Sequence, residues 1–156
     1  MVDLPPALLA LLLVVTANAT PWLLAVGFGD RGAAPLDHGL VLPDGKRLLG
    51  AHKTWRGLIG GTLACACVGA ATGVGFGIGA LFGMIALAGD AAASFVKRRA
   101  DLAPGSEVPG LDQLPETLLP MWVLAPQLRL TWIDIIVVAC AFMLLDGVTA
   151  RIRHRY

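Results

Sequence analysis

Charge is scarce in this chain. Asp, Glu, Lys and Arg together make up 15% of its 156 residues, against 56% hydrophobic residues and a mean hydropathy of +0.73. A soluble domain of that size needs more polar groups to cover its surface, so lipid rather than water wets most of the outside. The length leaves room for one domain, 1–156, and not for two. A formal net charge of +1 and no basic run longer than three residues exclude a nucleic-acid partner. Cys65, Cys67 and Cys140 sit in apolar runs without CxxC spacing, which speaks against a disulfide framework or a zinc site and for small apolar filler. The first apolar run lacks basic residues ahead of it and offers only Asp3. Although Ala17-Asn18-Ala19 resembles a cleavage site, the missing basic flank argues for a retained first span.

What is present is apolar sequence in helix-sized lengths. A hydrocarbon core about 30 Å thick needs roughly 20 apolar residues as a helix. Residues 4–26 supply one such stretch, and 58–95 is long enough for two, with the turn among the glycines of 73–79. Residues 118–128 are shorter and interrupted by Pro120 and Pro126, and 132–145 form the clearest late span. The expectation is an all-α integral membrane protein of about five transmembrane helices. Basic residues orient it. Arg31, Lys46, Arg47, Lys53 and Arg56 follow span one, Lys97, Arg98 and Arg99 follow span three, and Arg151, Arg153 and Arg155 form the tail. The positive-inside rule then puts two long loops, about 27–57 and 96–117, and the C-terminus in the cytoplasm, with the N-terminus outside. Gly73-Val74-Gly75-Phe76-Gly77 has no βαβ context for a dinucleotide fingerprint and reads as a tight turn between closely packed helices. Such glycine-rich faces can pack within one chain or between two, which leaves a homodimer open.

Asp90 lies near the end of the third span in apolar surroundings, where an ionisable residue costs about 2.5–3.5 kcal/mol and is a functional candidate by default. At roughly 3.6 residues per turn, Asp90, Ser94, Lys97 and Asp101 share one helix face. A structural Asp90–Lys97 contact is the blander alternative, but two turns is a long reach. Lys97-Arg98-Arg99 then leads into a segment with Pro104-Gly105 and Pro109-Gly110, which returns Asp112 and Glu116 to the membrane surface. Cations and carboxylates on one short loop suit a magnesium–polyphosphate site, with oxygen ligands for the hard cation and Lys or Arg for phosphate oxygens. His52-Lys53-Thr54-Trp55-Arg56-Gly57 offers a second cationic group where span two begins, and free N–H groups of a helix N-terminus face that way.

Asp44-Gly45-Lys46-Arg47, His52-Lys53-Thr54-Trp55-Arg56-Gly57, Gly89-Asp90, Ser94-Phe95-Val96-Lys97-Arg98-Arg99 and Leu111-Asp112-Gln113 resemble the CDP-archaeol synthase family, five-span relatives of the CDP-diacylglycerol synthases. The resemblance runs from about residue 35 to 116. It implies transfer of CMP from CTP to a membrane lipid phosphate, giving a CDP-lipid and pyrophosphate at the cytoplasmic face of the cell (inner) membrane, with Mg²⁺ as cofactor. It leaves open an ester-linked phosphatidate or an archaetidate-type lipid. On that pattern Asp90, Lys97 and Asp112 are catalytic, and Asp90, Asp112 and Glu116 hold the metal. Lys53, Arg56 and Arg98 neutralise phosphate, and Thr54 and Ser94 donate hydrogen bonds to it. The family places a second acid three residues after Asp112, where this chain has Pro115, and Glu116 is the substitute.

Two rival readings are weaker. Asp146-Gly147-Val148-Thr149-Ala150-Arg151 matches part of the CDP-alcohol phosphotransferase motif, but Met143 stands where that motif needs an Asp. A small transporter or lipid-binding protein without chemistry is expected to carry mid-span charges and repeats, and the acids here sit at loop ends.

Overall fold

The computed structural model describes residues 4–103, 106, 108 and 110–153, with side chains described as far as Val148. Asp3, Pro104, Gly105, Pro109 and Arg155 therefore lie outside the described residues, as do the side chains of Arg151 and Arg153. The described chain is helical: α1 (Pro6–Phe28), α2 (Trp55–Thr72), α3 (Phe76–Arg99), α4 (Gln113–Val123), α5 (Ala125–Leu128) and α6 (Trp132–Arg153). Among the described residues there is no strand, only isolated bridges pairing Pro35 with Thr54 and Val41 with Arg47.

Length and composition explain the long helices. α1 and α3, with 23 and 24 residues, are the helices among the described residues that are long and apolar enough to cross a membrane. At 1.5 Å per residue each reaches about 35 Å. Their outward faces carry Trp22, Leu23, Val26 and Met84, and α6 exposes Ile133, Ile136 and Leu144. Gln113, Glu116 and Thr117 are buried instead. An exterior this apolar around a partly polar interior is a surface made for lipid.

α2 and α3 form a hairpin whose helices touch backbone to backbone. A Cβ on Gly69 would lie 2.6 Å from the Gly75 carbonyl oxygen, one on Gly83 would lie 2.9 Å from the Cys65 Cβ, and one on Gly79 would collide with the Cys65 carbonyl. The turn needs Gly73 and Gly75 at φ +83° and +104°, where a side chain is strained. α1 packs against α2 and α6, α4 against α3 and α6. Leu13, Val14, Phe82, Met121 and Val138 fill the space between them.

The fourth helical segment differs from the expected 118–128. α4 opens at Gln113, five residues earlier, because Pro115 falls in the first turn, where its missing N–H leaves no helical bond unmade. The chain breaks at Leu124 before the short α5. α3 also runs on to Arg99, its three cations lying in the last turn, where the helix dipole favours them. The connection between α3 and α4 is thus shorter than 96–117.

Candidate active site

Three helix ends meet at one end of the bundle. Lys53 precedes α2, Asp90 and Lys97 sit on the last turns of α3, and Asp112 and Glu116 flank the start of α4. The close approach of α4 is permitted by Gly89. A Cβ there would come within 2.6 Å of the Pro115 carbonyl oxygen and 2.9 Å of the Glu116 nitrogen. A glycine beside Asp90 therefore lets the first turn of α4 rest on the α3 backbone.

The charged groups answer one another across elements. Lys53 Nζ lies 2.5 Å from Asp90 Oδ2, and Lys97 Nζ lies 2.5 Å from Asp112 Oδ1. Asp112 accepts the Val108 N–H at 2.9 Å through its other oxygen, while Lys97 also donates to the Ser106 carbonyl at 3.0 Å. Glu116 is buried, with Asp90, Lys53, Asp146 and Asp112 as its electrostatic neighbours. Four carboxyl groups thus lie close to two ammonium groups. Among the described residues no three acidic, His or Cys side chains are arranged to hold a metal ion, since Asp90 and Asp112 point at lysines. Chemically this is a site of oxygen donors and exchangeable cations, suited to polyphosphate accompanied by a hard cation.

The family model for CDP-archaeol synthase (CarS-like) matches residues 4–153. The CDP-archaeol synthase of Aeropyrum pernix is 39% identical over 153 residues, covering 94% of this chain and 84% of that protein. The chain belongs to the CDP-archaeol synthase family. The Methanopyrus kandleri member is 49% identical over 89 residues, and the Thermococcus kodakarensis member 43% over 111. These two matches span 51% and 60% of those relatives, about half to three fifths of their length. A solved structure described as an intramembrane enzyme for archaeal membrane lipids biosynthesis superposes with a TM-score of 0.76 at 37% identity, covering 94% of this chain and 92% of that one. With its lipid-facing exterior, the chain is an integral membrane protein, a relative of membrane-embedded cytidylyltransferases of lipid biosynthesis.

Within the CDP-archaeol synthase pattern, the residues read from sequence divide into two groups. Lys53, Asp90, Lys97, Asp112 and Glu116 come together as described. The others take up structural contacts. Thr54 caps α2, its hydroxyl accepting the Gly57 N–H at 3.1 Å. Arg56 donates to the Gly29 carbonyl at 3.1 Å and to that of Arg31, tying α2 to the exit of α1. Arg98 is buried and donates to the Ala103 carbonyl at 2.8 Å. Ser94 is buried on the same helix. Asp101 leaves the expected stripe: α3 ends at Arg99, and Asp101, at φ +59°, pairs with Lys46 at 2.6 Å. The blander Asp90–Lys97 contact is also absent, each residue pairing with another element instead.

Some contributors were not visible in sequence. Asp37 is buried in the first loop, where it accepts Arg47 Nη2 at 2.7 Å and the N–H groups of Gly39, Leu49 and Gly50 at 3.0, 3.1 and 3.2 Å. Burial alone would raise its pKa, but the guanidinium and these three N–H groups outweigh that and hold the carboxyl far below the usual range. Arg99 then docks this loop on α3, reaching Asp44 at 2.5 Å and the Arg47 carbonyl at 2.6 Å. The only local signal was the Asp37-His38-Gly39 turn, and nothing in the sequence joins it to Arg47 or Arg99.

Proposed function

We propose that this protein transfers CMP from CTP to a membrane lipid phosphate, releasing pyrophosphate and leaving a CDP-lipid. The observation that carries the reading is the pairing of Lys53 with Asp90 and Lys97 with Asp112 around Glu116, in a chain of the CDP-archaeol synthase family. A phosphomonoester has a second pKa of about 6 and is largely dianionic near neutrality, so it needs no dedicated base to attack. One of its oxygens forms a bond to the α-phosphorus of CTP as the bond from that phosphorus to the bridging oxygen breaks. Catalysis then consists of alignment and charge neutralisation. Lys53 and Lys97 exchange their carboxylate partners for phosphate oxygens of CTP and of the leaving pyrophosphate.

The donor set fits magnesium in kind: it is all oxygen, and carboxyl groups outnumber ammonium groups in the cluster. Asp90 and Asp112, joined by Glu116, would hold the ion once the lysines turn to phosphate. When bound, Mg²⁺ supplies charge stabilisation on the triphosphate. Thr54 and Ser94 would donate hydroxyl hydrogen bonds to phosphate, and Arg56 and Arg98, held by the backbone carbonyls they donate to, would add positive charge behind the lysines. On this reading the chain crosses the membrane five times with its N-terminus outside, so that the cluster faces the cytoplasm, where CTP is found, and the apolar exterior gives the lipid chains a path. The glycine-rich faces of α2 and α3 pack within the chain, so a homodimer would have to form through another surface.

The test is direct. Purified protein with CTP, Mg²⁺ and a lipid phosphate is expected to release pyrophosphate and form a CDP-lipid. The relatives carry the name CDP-archaeol synthase, so an archaetidate-type phosphate is the first lipid to offer and phosphatidate the second. No turnover with either class overturns the reading.

A further inference from the structure

The last helix supplies no residue to the proposed chemistry, yet its Asp146 is bonded to the first turn of α4. Gln113 follows Asp112 directly and is buried. Its Oε1 accepts the Gly110 N–H at 2.8 Å, and its Nε2 donates to Asp146 Oδ2 at 2.7 Å. These partners fix the amide: turned over, it would set donor against donor at Gly110 and acceptor against carboxylate at Asp146. On its other side the same turn rests on Gly89 through Pro115. The first turn of α4 is therefore gripped between the α3 backbone and a carboxylate of α6. Asp112 stands one residue before Gln113 and Glu116 three after it, so any rotation of this turn moves both acids at once.

We propose that Asp146 is a positioning residue for the acidic half of the site. Through Gln113 it sets the rotation of the first turn of α4, which aims Asp112 at Lys97 and keeps Glu116 among its charged neighbours. Its consequence for rate rests on the cytidylyl-transfer reading; its consequence for geometry does not. The residue belongs to the Asp146-Gly147-Val148-Thr149 element that resembles a different phosphotransferase motif, and this contact gives the acid a use without that chemistry.

The experiment compares the full chain in detergent or liposomes with Asp146→Ala, Gln113→Glu, and Gln113→Glu combined with Asp146→Asn. It reads kcat and KM for CTP, and the hydrogen exchange of backbone amides across 110–117. Asp146→Ala is expected to lower kcat about tenfold or more with KM within about twofold, the signature of misaligned groups rather than lost binding. The amides of 110–117 exchange faster in the same variant, Gly110 most of all. Gln113→Glu sets two carboxylates against each other and behaves alike. Adding Asp146→Asn restores both readouts, because the new amide donates to the new carboxylate. The proposal is overturned if Asp146→Ala leaves kcat and exchange unchanged, if the paired variant is no better than Gln113→Glu, or if exchange rises equally throughout α1 and α6. If the wild type makes no CDP-lipid, the functional reading fails, and the exchange pattern still decides the positioning role.

Discussion

At one end of this bundle the helices are joined by charged side chains, and at the other by the lack of side chains. The polar end brings Lys53, Asp90, Lys97, Asp112, Gln113, Glu116 and Asp146 onto one another from four helical segments. At the opposite end Gly69, Gly75 and Gly79 let α2 and α3 touch backbone to backbone. The α5–α6 turn there leaves an open cleft of about 680 Å³ lined by Trp122, Pro126, Arg129 and Trp132, with none of the candidate residues. The glycine contact is insensitive to charge, pH and ligand, so it fixes how α2 lies along α3. That register brings Lys53 opposite Asp90, and the polar end is free to trade partners on a scaffold that does not depend on them.

The sharpest test separates rate from fold. Asp112→Asn is expected to lower CDP-lipid formation about a thousandfold, the loss typical of removing a group that meets charge developing in the transition state. The thermal midpoint in detergent stays close to wild type, because the asparagine keeps an oxygen for the Val108 N–H and Lys97 keeps its bond to the Ser106 carbonyl. Lys97→Met should behave alike. If either variant unfolds, the polar end is a structural clasp and the contrast between the ends collapses.

The reverse substitution belongs at the other end. Gly79→Leu forces a side chain into the Cys65 carbonyl and should destabilise the fold by about 3 kcal/mol, at the upper end of the usual cost of overpacking. Its midpoint falls, and because the α2–α3 register sets Lys53 opposite Asp90, the rate per folded molecule falls as well, though far less than in Asp112→Asn. Gly89→Ala combines the two effects: it is a backbone contact located at the polar end. It should displace Pro115 and Glu116 and lower kcat about tenfold with a smaller loss of stability. A Gly89→Ala variant as active as wild type would separate the α4 contact from catalysis.

The two ends also differ in how far sequence alone reveals them. Composition and spacing give an all-helical membrane fold, and the glycine run names its own turn, because periodicity and small residues are local signals. Asp90, Lys97 and Asp112 were readable as a group because a carboxylate in apolar sequence and a basic triplet need a reason. Their pairing was not readable. Nothing local tells Asp90 to choose Lys53, thirty-seven positions away, over Lys97 on its own helix. Arg56 and Arg98 looked like phosphate binders for the same reason that Lys53 did, yet they donate to backbone carbonyls, a need set by how the loops fold. The early start of α4 was hidden by Pro115, which reads as a helix breaker until its place in the first turn is known.

The smallest expected effect concerns the first loop, whose grip on Asp37 keeps Lys53 in reach of the cluster. Its carboxyl pKa is depressed in the folded protein, so its contribution is complete above the ordinary carboxylate value of about 4 and is lost only as pH falls below that toward the folded value. Arg47 is about one third exposed, and the pair with Asp37 is discounted accordingly, to about 1 kcal/mol or roughly fivefold in the opening of the loop. Limited proteolysis within 29–54 should therefore run about fivefold faster in Asp37→Asn, by the same amount at pH 8 and at pH 5. Below about pH 4 the wild type begins to approach the variant. A difference that already fades between pH 8 and pH 5 would mean that something other than the Asp37 carboxylate holds the loop, and Lys53 would then owe its position to Asp90 alone.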